Sequence, residues 1–455
     1  MLNHGLNVLK TRRALLCAAI LASAAMFAGA VSRAQDRAAR NLSLSLSEAI
    51  QLAIDNNVHT LNAKERILEA EGERGIVRSA LLPSVSAAAS QTNLTSNLAA
   101  WGMPVQDLKG FPAFVGPFNR FDARLSLMQS VFNLASIRKY QASGLGVAIA
   151  SEQQQLAVQQ TTTAAILAYL RVLEAEQSLT AARANVEQAE KLLDLASAQR
   201  SAGVATGIDV ARAETRVANQ RVRAEQTQTG LDEARFILLR VAGLPLSTVL
   251  VLSERMRLES ETVDLSHAVA RAFSDRIELR LADRQVQIQE MQQKAASALR
   301  LPTLTAFGDY GSSGLTPGEM DRPTRSAGIQ LNFPVFEGGR IRSEIRVASS
   351  RLKQAETERN DLRAEVEKEV RLALQNLGTR EQQAQASDRE MKLATRELDL
   401  ARDRFRNGVA DNIEVINAQT ALENARLSFV SSLAQFNIAR VNLAVAMGHP
   451  EEFHF

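Results

Sequence analysis

One cysteine, ten prolines and 4% aromatic residues are what this chain of 455 residues has little of. The single cysteine, Cys17, rules out an internal disulfide, and it lies in an N-terminal stretch whose removal leaves no thiolate nucleophile. Few aromatics and few prolines suit long helices packed on small side chains better than an aromatic-cored enzyme. A charge excess is also missing. The formal net charge of +3 comes from residues 1–34, which hold Lys10, Arg12, Arg13 and Arg33 and no acid; without them 49 bases face 50 acids. Nucleic acid is therefore not an implied partner. His59, His267 and His449 are isolated, and no G-x-S-x-G, phosphate-binding loop or metal-ligand spacing occurs, so the chain reads as a non-enzyme without cofactor or metal. With 45% hydrophobic and 23% charged residues it is too apolar to be disordered.

The N-terminus has the pattern of an export signal over 1–34. Lys10, Arg12 and Arg13 precede the apolar run Ala14–Ala28, and Ala28-Gly29-Ala30 and Ser32-Arg33-Ala34 both offer small-residue cleavage sites. A retained anchor would need about 20 apolar residues, more than this run supplies.

The rest is one unit written twice. Leu46-Ser47-Glu48-Ala49-Ile50 returns as Leu265-Ser266-His267-Ala268-Val269, and Leu82-Pro83 as Leu301-Pro302, at a shift of 219. After a loop that is longer in the first copy (96–120), the shift settles at 205, carrying Leu193-Asp194-Leu195-Ala196 onto Leu398-Asp399-Leu400-Ala401 and Gly203-Val204-Ala205 onto Gly408-Val409-Ala410. The expected organisation is a first repeat over 35–245, a linker over 246–263, a second repeat over 264–450 and a tail over 451–455. A period this long is no solenoid; it is two homologous halves of one structure.

Each half changes its hydrophobic period twice. Leu46–Ser79 reads as helix capped by Ser47; then alternation predicts strands near 82–93 and 121–132, repeated near 301–311 and 325–336. About ten residues each is what a tilted membrane strand needs. Beyond the strands no proline falls between Pro117 and Pro245 or between Pro334 and Pro450. Val158, Ala165, Val172, Leu179, Val186 and Leu193 recur every seven residues, with Ala168, Ala175, Ala182, Ala189 and Ala196 three positions on, an a/d seam. Val370, Leu377, Ala384, Met391, Leu398 and Phe405 repeat it. Stretches of about 65 residues at 1.5 Å each would reach roughly 100 Å; Gly144, Gly146 and Gly378 are the places where they could break. Trp101, Phe111, Phe114 and Phe118 mark the long first loop as either an aromatic girdle or plug, or a loop packed on itself.

Four strands cannot close a barrel, for which about eight is the practical minimum, and an open sheet in lipid would leave its edges unsatisfied. Strands placed in a membrane must then be shared among copies. No segment after Ala34 is long and apolar enough for a transmembrane helix.

The doubled helix–strand–strand–helix–helix order, the x-Leu-Pro entries at Leu81–Pro83 and Arg300–Pro302, Phe333-Pro334-Val335-Phe336 before Gly338-Gly339-Arg340, and the Gly-led turns Gly203–Asp209 and Gly408–Glu414 together resemble the TolC-like outer-membrane efflux protein family over nearly the whole mature chain. The resemblance implies a mainly α fold with a small membrane β part, a homotrimer with a shared twelve-stranded barrel in outer-membrane lipid, and a coiled-coil tunnel in the periplasm. It further implies a passive exit duct of a tripartite efflux or type I secretion system, docked on a periplasmic adaptor and, through it, on an inner-membrane pump. A periplasmic coiled-coil adaptor or scaffold without a pore is the alternative.

The same resemblance names candidate site residues at the tunnel tip. Glu414 falls where the family commonly has its first ring acid, Asn417 where a second often stands, and Asp209 is the first-half counterpart of Glu414. Ala410 replaces the Arg that can pair with such an acid, and Phe405 occupies the gate aromatic position. Gly203, Val204, Ala205, Gly408, Val409 and Ala410 are the turns implied to meet the adaptor. From the residues alone, Asp411–Glu414 and Thr206–Asp209 are also capping boxes at helix starts, and Gly203 and Gly408 left-handed helix ends.

Overall fold

The computed structural model describes residues 41–98, 100, 113–259, 263–320, 322–407, 409 and 412–455. The export-signal reading of 1–34, Trp101, Phe111, Gly408, Ala410 and Asp411 lie outside the described residues. In chain order the elements are β1 (Asn41–Leu44), α1 (Leu46–Asn56), α2 (Val58–Ser79), β2 (Ser84–Asn97), β3 (Phe114–Phe132), α3 (Leu134–Ser201) and α4 (Gly207–Val241). The second half supplies β4 (Val249–Leu252), α5 (Leu265–Asp275), α6 (Ile277–Ala298), β5 (Thr303–Gly314), β6 (Pro323–Asn332), α7 (Arg340–Arg406) and α8 (Asn412–Met447). Residues 41–60, 158–269 and 370–455 form one compact unit; 61–157 and 270–369 form another.

In the second unit β2, β3, β5 and β6 form an antiparallel sheet in that order, with β3 and β5 joining the two repeats. Register puts Ser86, Ser90, Asp122, Arg124, Ser126, Asp309 and Ser326 on one face and Val85, Ala87, Leu125, Leu127, Tyr310, Ile329 and Leu331 on the other. The apolar face is left uncovered: Val85 is 69%, Ile329 73% and Leu331 67% exposed. Arg124 ties the polar face together. It bonds Asp122 at 3.2 Å, Thr324 Oγ1 at 3.3 Å, and Asp309 on β5. Four helices follow the strands in the same order: Arg74 of α2 meets Tyr140 of α3 (3.2 Å), Glu152 of α3 meets Arg284 of α6 (3.3 Å), and Gln293 of α6 meets Ser349 of α7 (2.9 Å).

The first unit holds the main core. Tyr169, Ile166, Leu170 and Val172 of α3 pack with Leu44, Leu238, Leu239, Leu250, Leu433 and Val441. The heptad rows are buried much as their spacing requires, including Val370, Leu377, Ala384, Leu398 and Phe405.

Several expectations need correction. Ser45, not Ser47, caps α1: its backbone is extended and Glu48 stands at N3 to close the box, with Ser45 N–H donating to Glu48 Oε2 at 2.9 Å. The helix expected over 46–79 breaks at Asn57, whose side chain caps α2 by accepting from His59 N–H (2.9 Å). Arg276, at the shift of 219, breaks the second copy in the same extended conformation. Helices α3 and α7 run unbroken for 68 and 67 residues through Gly144, Gly146 and Gly378. The strands reach 14 and 19 residues in the first half, so Phe114 and Phe118 belong to β3 rather than to a loop. The 246–263 linker contains β4, which pairs in parallel with β1. The tail folds back, with Phe455 6.0 Å from the Tyr169 ring.

Candidate gate and docking tip

Two helical turns, α3 to α4 and α7 to α8, carry the candidate residues, all in the first unit. Helix α3 ends because Gly203 adopts φ +76°, a conformation that side chains resist. Gly203 N–H then reaches Arg200 O (3.0 Å) and Val204 N–H reaches Gln199 O (2.9 Å), a Schellman ending. Val204 is left 77% exposed. Thr206 opens α4, its N–H and hydroxyl both donating to Asp209 Oδ2, at 2.9 and 2.7 Å. Those bonds from the Thr206 hydroxyl and backbone hold the Asp209 carboxyl below the usual range.

The second turn repeats one of these bonds. Val409 N–H donates to Arg404 O at 2.9 Å, the same bond at the shift of 205, and Val409 is again exposed. Its side-chain chemistry differs. Glu414 Oε1 lies 3.0 Å from Arg404 Nε, an ion pair that clamps the first turn of α8 to the last turn of α7. Asn417, one turn on, is exposed. Phe405 is only 7% exposed, in a cluster with Leu398 and Ala401 of α7, Val415 and Leu422 of α8 and Leu192 of α3. An open groove of about 580 Å³ lies between α4 and α8, with Ile208, Ala211, Thr215, Ile413 and Ile416 in its wall.

Above that groove is a site that sequence reasoning missed. Glu423 of α8 is a buried carboxylate held by three groups from one face of α4: Arg216 Nη2 at 2.9 Å, Gln220 Nε2 at 2.9 Å, and Arg223. The legible signal was the Arg216-Gln220-Arg223 spacing, four then three, which places all three on one helical stripe. A lone acid beside Leu422 and Ala425, in an otherwise apolar seam, was its complement.

This architecture defines a class: a duplicated, mainly helical chain with a short antiparallel sheet that is apolar on one face and polar on the other. The model of the outer membrane efflux protein family matches residues 49–244 and 268–449, and the chain belongs to that family. It is an outer-membrane protein and an exit duct of efflux systems. The chain is similar to the pyoverdine export outer membrane protein OpmQ of Pseudomonas aeruginosa, 24% identical over 410 residues that cover 88% of this chain and 84% of OpmQ. It is similar also to the outer membrane protein TolC of Escherichia coli, 21% identical over 361 residues, covering 72% of this chain and 70% of TolC. The CmeC outer membrane channel of Campylobacter jejuni shares the fold, with a TM-score of 0.76 and 17% identity over 89% of this chain and 85% of CmeC.

Proposed function

We propose that three copies join β6 of one to β2 of the next, closing a twelve-stranded barrel in the outer membrane above a periplasmic helical tunnel. The observation that carries this is the four-stranded sheet, whose β2 and β6 edges meet no further strand among the described residues while its Val85–Ile329 face is bare. Edges of that kind are stable in lipid only when paired. The conduit is passive and not an enzyme; a partner pump supplies the energy through an adaptor that grips the Gly203–Ala205 and Gly408–Ala410 segments, in which Val204 and Val409 are exposed. A pore-free adaptor or scaffold would have no use for a bare apolar sheet face. Three copies of Glu414, with Asn417 one turn on, form the cation-preferring entrance together with Asp209 and, on the sequence pattern alone, Asp411; Arg404 holds Glu414 in place. Phe405 supports it only indirectly, by packing α7 against α8 and α3.

Mass measurement of the detergent-extracted outer-membrane fraction tests the assembly: a trimer supports it, and a water-soluble monomer rejects it. Conductance in planar bilayers tests the entrance. Glu414→Lys should lower the cation preference; an unchanged preference removes Glu414 from the filter.

A further inference from the structure

Seven to eight residues from the helical ends of β3 and β6, the second unit carries a cavity of about 740 Å³, the size of a small-molecule site. It touches all four helices of the row. Val77 of α2, Ala142 of α3, Ile288, Ala295 and Leu299 of α6 and Val347 of α7 make its floor apolar. Its charged lining is Lys139, Arg340, Arg351 and Glu344. Glu344 is already engaged, at 2.5 Å from Arg340, and Glu337 pairs with the same guanidinium. Lys139 and Arg351 are exposed and form no ion pair among the described residues. An apolar trough edged by two uncommitted cations is complementary to one class of ligand.

We propose that this cavity binds small amphiphilic anions, a fatty-acid-sized apolar body ending in a carboxylate or sulfonate. The apolar body gains from leaving water against the trough, and the acid gains charge-assisted hydrogen bonds from Lys139 and Arg351. A second copy is not the occupant that the geometry favours. The open strand edges belong to β2 and β6, at the two ends of the row, whereas the cavity crosses the row and touches α3 and α6 in its middle. A bilayer lipid fits less well than a free amphiphile, because Arg351 stands three turns into α7, away from the strands.

The test uses the full chain in phosphatidylcholine nanodiscs, with radiolabelled laurate in equilibrium dialysis against empty nanodiscs. Saturable binding near one laurate per chain is expected, weakened tenfold or more in Lys139→Gln/Arg351→Gln and reduced by added salt, as a charge contact requires. Dodecanol, with the same chain and no charge, should compete poorly. Both side chains are exposed, so the variant keeps the fold, which its circular dichroism checks. Equal binding of laurate to parent and double variant would overturn the proposal, as would equal competition by dodecanol. Binding to a monomeric fraction but not to the trimer would assign the cavity to a second copy instead. The readout does not depend on conductance, so a failed channel assay and a failed binding assay remain distinct results.

Discussion

The two repeats share their backbone down to single hydrogen bonds but not the chemistry hung on it. The shift of 205 carries the Val204–Gln199 bond onto Val409–Arg404 and the Leu244–Leu239 bond onto His449–Ala444. At the tips, Asp209 turns inward to Thr206, while its counterpart Glu414 reaches across the turn to Arg404, where the first repeat has Gln199. Higher up the divergence is complete. Arg216, Gln220 and Arg223 of the first repeat correspond to Ala421, Ala425 and Ser428 of the second, and Glu423 corresponds to Ala218. Duplication thus produced two interchangeable frames, and later substitution made one the donor and the other the acceptor of a buried charge. An asymmetric bond of this kind fixes which α4 meets which α8.

The largest effect should come from breaking that asymmetry. Glu423→Ala leaves two guanidiniums and an amide facing a buried gap. Removing one partner of a buried pair costs about 3–5 kcal/mol, and here the lower end applies because Arg223 is more than half exposed. Urea unfolding of the detergent-solubilised protein measures it. The mirror change, Ala218→Glu, finds no cations at the equivalent place on α8 and should bring no compensating gain. Equal stability of Glu423→Ala and parent would show that the cluster does not join α4 to α8.

What could be read in the residues follows the same division between frame and decoration. Heptads, strand alternation and Gly-led turns are periodic, so helices α3, α4, α7 and α8 and the four strands of the sheet were visible. Asn57 was not, because a polar residue inside an apolar period is no signal until its side chain is seen capping α2. The β1–β4 pair escaped for a similar reason: four residues are too few to show alternation, and the pairing spans some two hundred positions. Phe405 was assigned to a gate by its place in the family pattern. The structure puts it on the heptad row that Val370 begins, where packing claims it. Glu414 was read as a ring acid and as part of a capping box; its pairing with Arg404 was not read, since nothing in a linear chain announces that Arg404 lies opposite it across the turn.

A second contrast lies at Tyr169, whose counterpart is Leu374. Tyr169 is fully buried and donates to Leu44 O at 3.0 Å. Burial, with the nearby Glu254 charge, pushes its phenol up to about 12. A raised folded value means that its stabilisation is complete below the unfolded phenol value near 10 and disappears as pH climbs from there through about 12. Tyr169→Phe should cost about 1 kcal/mol at neutral pH for the lost hydrogen bond. The part of the alkaline destabilisation that falls between those two pH values should vanish with it. Persistence of that part in the variant would place the sensitive group elsewhere.

Next in size are the glycines. Gly203→Ala forces a side chain into φ +76° and should cost about 1 kcal/mol. Gly146→Ala, inside α3 with open space around its missing Cβ, should instead stabilise by about 0.5–1 kcal/mol. The opposite signs separate a glycine that ends a helix from one that the helix merely tolerates, and thermal unfolding of the two variants reads them directly.

The smallest stability change should come from exchanging the tip partners. Arg404→Gln gives the second repeat the residue that the first has at Gln199, and Glu414 then loses its clamp. The pair is exposed on both sides, so stability should fall by less than about 1 kcal/mol. Conductance should respond far more, because in the proposed trimer the same substitution removes one cation beside each Glu414 of the entrance. Cation preference should rise in Arg404→Gln and fall in Glu414→Lys. In the first repeat, Gln199→Arg offers Asp209 a partner that it does not require, since Thr206 already holds its carboxylate, and selectivity should stay as it is. If Gln199→Arg moved selectivity as much as Arg404→Gln, the two tips would be functionally equivalent, and the entrance would belong to both turns rather than to the α7–α8 turn alone.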